Sequence, residues 1–408
     1  MALDLKPIRN LFWERLNLNT VYPSFKKIIC FLLIINLLSG CVTTQSESGI
    51  NDEYTGGVWI TYSELNTILE NGNLKENFNL VIKNCQSVKI SDIYLHVRAF
   101  GDSIYKSEYF PLTEASKNYD YDILQYIIDE CHKRGIRIHA WINPYRISNS
   151  TSDINTVSEE SPAYRWLKDE DGNNDRNVSI CESGIYLNPA ESQVRRLIID
   201  GIREIITKYQ IDGIHFDDYF YPTTDENFDK ASYDSYASEG GTLNLSDWRR
   251  ANVNSLIGGC YTAIKFTDKN IIFSISPAAS IEKNYENLYA DAAAWMSGGC
   301  VDYIIPQLYF GFEYPLEEYK FENLIDAWVN LADANGDIPL VIGLAPYKIG
   351  ETSDADKEWS EREDILARQV EYCRKNKLVI GYTFFSYSSL FSDKEQNKKQ
   401  LTNIKEII

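Results

Sequence analysis

The chain of 408 residues carries a formal net charge of −19 and a pI near 4.7, which argues against a nucleic-acid backbone as partner, since that would need a basic face. A hydrophobic fraction of 44% supports an ample core, and an aromatic fraction of 13% suits ring-shaped ligands as well as that core. Length alone leaves one large domain or two or three ordinary ones open.

At the N-terminus, Lys26 and Lys27 precede an apolar run from Ile28 to Leu38, too short to span a membrane and of the length of a signal-peptide core. The run ends in Leu38-Ser39-Gly40-Cys41, which resembles a bacterial lipobox. Residues 1–40 are therefore expected to be a signal peptide with an upstream extension, with Cys41 the lipidated first residue of the mature protein. The expected location is the bacterial cell envelope, anchored through that lipid. Residues 41–55 read as a polar tether and 56–408 as a single domain. The remaining cysteines, 85, 131, 181, 260, 300 and 373, are irregularly spaced and form no C-x-x-C pair, so neither zinc nor a disulfide scaffold is indicated.

From Gly57 onward, short β-rich runs alternate with helical patterns, which predicts parallel βαβ units. The strands are expected at 58–61, 93–98, 137–143, 213–217, 271–276, 303–309, 340–345 and 379–385. Amphipathic helices are expected at 74–89, 121–134, 191–209, 248–266, 289–297, 321–332 and 362–375. Two segments break the rhythm. Residues 147–189 read as a long loop after the third strand, and 222–242 as a second insertion after the fourth. Eight units in order predict a (β/α)8 TIM barrel, and no Gly-rich phosphate loop follows the first strand to recommend an open doubly wound sheet.

Parallel barrels carry their sites at the carboxyl ends of the strands, and here those ends are repeatedly polar. His96 and Arg98 lie on the second strand with Asp102 beyond it. His139, Trp141 and Asn143 alternate on the third, His215 and Asp217 on the fourth, and Gln307 and Tyr309 on the sixth. Three histidines with a carboxylate could also form a metal site, yet His96 and His139 sit mid-strand, deeper than the aspartates, so neither a metal nor a cofactor is expected. No G-x-S-x-G elbow is present.

Two carboxyl groups facing a sugar are what glycoside cleavage requires. The candidates are Asp217, Asp218 and Asp102, with Glu313 a fourth. Asp102 could donate a proton or bind a sugar hydroxyl. Asp217 shares strand parity with His215, so it is expected at the barrel mouth with its ionisation set by His215 and Arg98. Trp59, Trp141, Tyr145, Tyr219 and Tyr309 would supply apolar faces for pyranose rings.

Seven stretches in order resemble the glycosyl hydrolase-like family 10 proteins. They are G-G-V-W-I-T at 56, V-R-A-F-G-D-S-I-Y-K-S at 97, C-H-K-R-G-I-R-I-H-A-W-I-N-P-Y-R at 131, Y-L-N-P-A at 186, D-G-I-H-F-D-D-Y-F-Y-P at 212, W-R-R-A-N-V-N at 248 and D-Y-I-I-P-Q-L-Y-F at 302. The resemblance implies a glycosidase acting on a polysaccharide, with peptidoglycan glycan strands lacking stem peptides as one substrate, and it puts Asp102, Asp217 and Asp218 in the family's acidic motifs. After the fifth strand this chain has S-P-A-A-S where a glycine-containing turn is expected. Two other readings stay open: a carbohydrate-binding lipoprotein without catalysis, and a chitinase-like hydrolase that uses the substrate's acetamido group. Against the second, His215 and Tyr219 stand where the chitinase-like strand has Asp and Glu.

Overall fold

A computed structural model describes residues 54–352 and 356–408, without the side chain of Asn71. The signal segment, Cys41 and all but the end of the polar tether lie outside the described residues. The described strands are β1 (Thr55–Ile60), β2 (Asp92–Arg98), β3 (Arg137–Ile142), β4 (Arg146–Ser148), β5 (Val178–Cys181), β6 (Gly184–Leu187), β7 (Gly213–Phe216), β8 (Ile272–Ile275), β9 (Tyr303–Ile304), β10 (Leu340–Leu344) and β11 (Val379–Phe384). Eight of them, β1, β2, β3, β7, β8, β9, β10 and β11, pair in that order as a closed parallel barrel, with β11 returning to β1. This is the expected TIM barrel. Among the described residues no helix is long and apolar enough to cross a membrane, and the six cysteines are unpaired.

The outer faces of the strands follow the alternation: Ile93, Leu95, Ile138, Ala140 and Ile214 pack outward into one aliphatic core with the helices. The interior is different. Trp59, Tyr94, Trp141 and Tyr303 fill it together with His139 and His215, where branched aliphatic residues are the norm. Such rings fit because glycine faces them. A Cβ on Gly343 would lie 3.2 Å from Trp59, and one on Gly213 would lie 2.2 Å from His139 Nδ1 and 3.0 Å from the Ile272 carbonyl. Gly213→Ala is therefore expected to cost about 1–3 kcal/mol by overpacking, read in thermal melting. An unchanged melting temperature would mean that His139 can move aside freely.

β9 is shorter than the expected 303–309. Pro306 has no N–H to give the ladder, and pairing resumes only as single bridges from Gln307 to Ala278 and Gly343. Nor is 147–189 a plain loop. β4, β6 and β5 form a three-stranded antiparallel sheet, and a helix spans Pro162–Lys168. The insertion after β7 holds a helix, Lys230–Ser238. It is anchored by Arg249, which binds Asp229 as a fully buried pair and donates to the carbonyls of Thr224 and Asp225. A helix at Tyr62–Leu69, absent from the sequence reading, is started by a capping box between Thr61 and Glu64. The other Glu64 oxygen accepts from Ser386 Oγ and the Ser388 N–H, tying the mouth ends of β1 and β11 together.

Candidate active site

β7 delivers Asp217 to the barrel mouth. The chain turns there because Asp217 Oδ1 accepts the Tyr219 N–H at 3.2 Å and the Phe220 N–H closes on the Asp218 carbonyl at 3.0 Å. That turn brings Asp218 back beside its neighbour, despite opposite strand parity. Both line a cavity of about 450 Å³ with Trp59, Trp141, Tyr219, Gln307 and Tyr309. The volume is within the range of about 300–1,000 Å³ common for small-ligand sites.

Asp217 is buried and its Oδ2 accepts the Trp141 indole N–H at 3.0 Å. Burial and the charge of Asp218 push its carboxyl up to about 8, against the opposing pull of Arg146, the Tyr219 N–H and Trp141. Burial also raises Asp218, opposed by its own N–H, Gln307, Lys283 and Arg146. Two neighbouring carboxyls in so dry a site cannot both ionise easily, and with its carboxyl pushed up to about 8 Asp217 keeps a proton at neutral pH. Since the Trp141 N–H favours ionised Asp217, Trp141→Phe is expected to move the alkaline limb of the activity profile upward from about pH 8. An alkaline limb that stays in place in kcat/KM would remove Asp217 from that assignment.

Beneath the cavity His139 and His215 serve the scaffold. His215 Nε2 accepts the Trp59 indole N–H at 3.1 Å, so its Nδ1–H faces Ser274 Oγ at 2.9 Å. Burial and His139 hold its pKa well below the ordinary histidine value, so it is neutral. His139 stacks on Tyr94 and lies 2.8 Å from Asp92. Burial opposes the ionisation of Asp92, and the bonds from His139 and Arg137 outweigh it, holding the carboxyl at about 2. Neither His139 nor His215 lines the cavity, and among the described residues no group of three His, Cys, Asp or Glu side chains is disposed to hold a metal ion.

Five other placements differ from the sequence reading. The β2–β3 register slips between His96 and Arg98, so that Arg98 pairs with outward-facing Ile142. That bulge turns Arg98 out of the barrel, over the Phe110 ring and against Gly201 of the helix Ser192–Lys208. Asn143 ties strand ends instead of facing the cavity, its amide donating to the Ala99 carbonyl at 3.1 Å. Tyr145 is fully buried in the outer core, beside Cys260 and Arg195. Asp102 lines a neighbouring cavity of about 520 Å³, not that of Asp217 and Asp218. Glu313 is exposed and lines none of these cavities.

The guanidinium at the acid pair is that of Arg146, not Arg98. Its guanidinium stacks 4.4 Å over Tyr219 and 4.8 Å over Phe100 while Nε donates to the Ala99 carbonyl. Tyr62, Asn149, Tyr347 and Phe385 complete the walls. Arg146 stood in the sequence at the end of N-P-Y-R, but a residue beyond a strand end has no parity from which its direction can be read.

A family model described as Glycosyl hydrolase-like 10 matches residues 55–361. The chain belongs to this family. It is 33% identical over 342 residues to the Glycosyl hydrolase YngK of Bacillus subtilis strain 168, covering 78% of this chain and 64% of that protein. It is 30% identical over 301 residues to the Glycosyl hydrolase DigH of Escherichia coli K12, covering 67% of this chain and 66% of that protein. The chain thus spans a little under two thirds of the length of these relatives. The glycoside hydrolase domain of PgaB (BpsB) from Bordetella bronchiseptica shares the barrel, with a TM-score of 0.57 at 15% identity over 86% of this chain and 98% of that one. So does the catalytic domain of a β-amylase from Paenibacillus polymyxa, with a TM-score of 0.54 at 10% identity over 88% and 98%. In this member of the glycosyl hydrolase-like 10 family, the acid pair, Trp141, Gln307 and Arg146 all lie within the matched span.

Proposed function

We propose that the chain hydrolyses O-glycosidic bonds in a polysaccharide, with Asp217 as general acid. The observation that carries this reading is the pair Asp217 and Asp218 in one aromatic-walled cavity, with Asp217 held protonated up to about pH 8. A protonated carboxyl at neutral pH can deliver its proton to the leaving glycosidic oxygen. The membership of the glycosyl hydrolase-like 10 family supports the same reaction class.

The adjacency of the two acids bears on the rest of the mechanism. A nucleophile or base on the far face of the sugar needs a carboxyl across the scissile bond, about 5–9.5 Å from the acid. Consecutive residues on one turn approach from one side. A substrate with a 2-acetamido group resolves this, because its own carbonyl oxygen attacks the anomeric carbon as Asp217 protonates the departing oxygen. Asp218 would then orient the acetamido N–H and balance the positive charge of the cyclic intermediate. Water, losing its proton to Asp217, reopens it. This favours an N-acetylated amino-sugar polymer, and we assign peptidoglycan glycan strands without stem peptides as the substrate.

The purified protein should release oligosaccharides from such strands, read by mass, and Asp217→Asn should release none. Binding without product from peptidoglycan or any other glycan would favour the carbohydrate-binding reading instead. Attachment to the envelope through a lipid on Cys41 rests on Leu38-Ser39-Gly40-Cys41 and the preceding apolar run. Cys41→Ala should lose lipid labelling and membrane fractionation. Retention of both would end that assignment.

A further inference from the structure

The cavity of Asp217 and Asp218 does not stop at its own walls. Asn149 lines it and also lines the cavity that contains Asp102. Tyr62 and His96 line it and also line a third space of about 260 Å³, which shares Phe100, Asp102 and Glu114 with the Asp102 cavity. The three spaces lie side by side around the ends of β1, β2 and β3, separated by these shared walls.

We propose that the Asp102 cavity is a further sugar subsite, binding an uncharged amino sugar of the same glycan beyond the bond that is cut. The inference rests on the hydrolase reading above and extends it to the length of chain that the enzyme grips. The lining has two characters that suit a pyranose: an apolar floor of Phe100, Leu112 and Ile147, and a rim of hydroxyl and carboxyl groups. One polar side chain on the wall of this cavity is almost fully buried and has no hydrogen-bond partner. Ser161 is 1% exposed, and although it heads the helix Pro162–Lys168 its Oγ caps nothing. His96, 2% exposed and face to face on Trp141 at 3.7 Å, lines the two adjoining spaces, with Asn143 as its side-chain neighbour. Buried polar groups left unpaired are costly and uncommon, and sugar hydroxyls would satisfy them.

The charges choose among sugars. Asp102 and Glu114 outnumber Lys117 in the cavity lining, which disfavours an anionic substituent there. Burial, with Glu114 adding to it, raises the Asp102 carboxyl to about 6, so near neutral pH it exchanges between donor and acceptor toward a hydroxyl. Asp102 is on this reading a binding residue, not the acid of the reaction.

The test uses the full chain and oligomers of peptidoglycan glycan strand without stem peptides, from disaccharide to hexasaccharide. Calorimetry measures their binding to the Asp217→Asn protein, and product release measures their cleavage by the unaltered one. Affinity is expected to step up by about tenfold or more once the oligomer reaches the second cavity. Ser161→Ala and Asn149→Ala should each shrink that step, and Asn149 is exposed, so its variant does not endanger folding. Cleavage with no gain in affinity on lengthening, or a gain intact in both variants, overturns the subsite and leaves the hydrolase standing. A variant-sensitive gain without cleavage overturns the hydrolase and leaves the subsite. Neither cleavage nor a gain overturns both.

Discussion

Asp217→Asn is expected to lower kcat/KM by at least about 10³-fold, near 4 kcal/mol of transition-state stabilisation, because the amide cannot give a proton to the leaving oxygen. The fold should survive, since no volume is lost and the amide oxygen can still accept the Trp141 N–H. The same substitution carries a stability signature. The folded state raises this carboxyl to about 8, so it binds a proton that the unfolded chain has released, and stability falls as pH rises from the ordinary carboxylate range through 8. Replacing Asp217 removes that loss. The melting temperature of Asp217→Asn relative to the unaltered protein should therefore climb between pH 5 and pH 9. A flat difference would mean that Asp217 is ionised throughout, and the general acid would have to be sought elsewhere.

Asp218→Asn should be the milder lesion, about 10²-fold in kcat/KM, with measurable activity left. Its signature lies in the pH profile. The charge of Asp218 is the second cause, after burial, of the high pKa of Asp217. Without it the alkaline limb should move to lower pH, yet stay well above the ordinary aspartate range because burial persists. A dead Asp218→Asn beside an active Asp217→Asn would reverse the two roles and make the residue at the turn the working acid.

The eight strands could be read from the sequence because each buries one face against helices, giving local patterns such as Ile93–Arg98 that match β2 to within a residue. The site was legible where it continues a strand: His215 and Asp217 keep the parity of β7, and Trp141 keeps that of β3. It was illegible where direction depends on a partner far away in the chain. Arg98 leaves the barrel because Val97 is an extra residue against β3, and no property of V-R-A-F signals that slip. Asp102 turns from the acid pair because the loop after β2 folds on itself, Ser103 donating to Pro111 and accepting from Thr113. The small sheet in 147–189 escaped notice for the same reason, since Arg146 finds its partner Tyr186 only across the whole insertion. The aromatic interior is half visible in the sequence: Trp59 and Trp141 read as sugar platforms, and both also carry hydrogen bonds that fix His215 and Asp217.

Closure of the barrel between β1 and β11 has a kinetic meaning. Thr55 pairs with Gly381, nearly the whole described chain apart, so this seam carries the largest loop-closure cost in the barrel and is expected to form late. Trp59 and Phe385, one from each side of that seam, meet at 5.9 Å and both wall the acid pair. A chain still lacking its final strand can fold much of its helical layer but has no finished cavity. Appearance of activity during refolding should thus report the last cooperative step and not the first, lagging the recovery of helical signal.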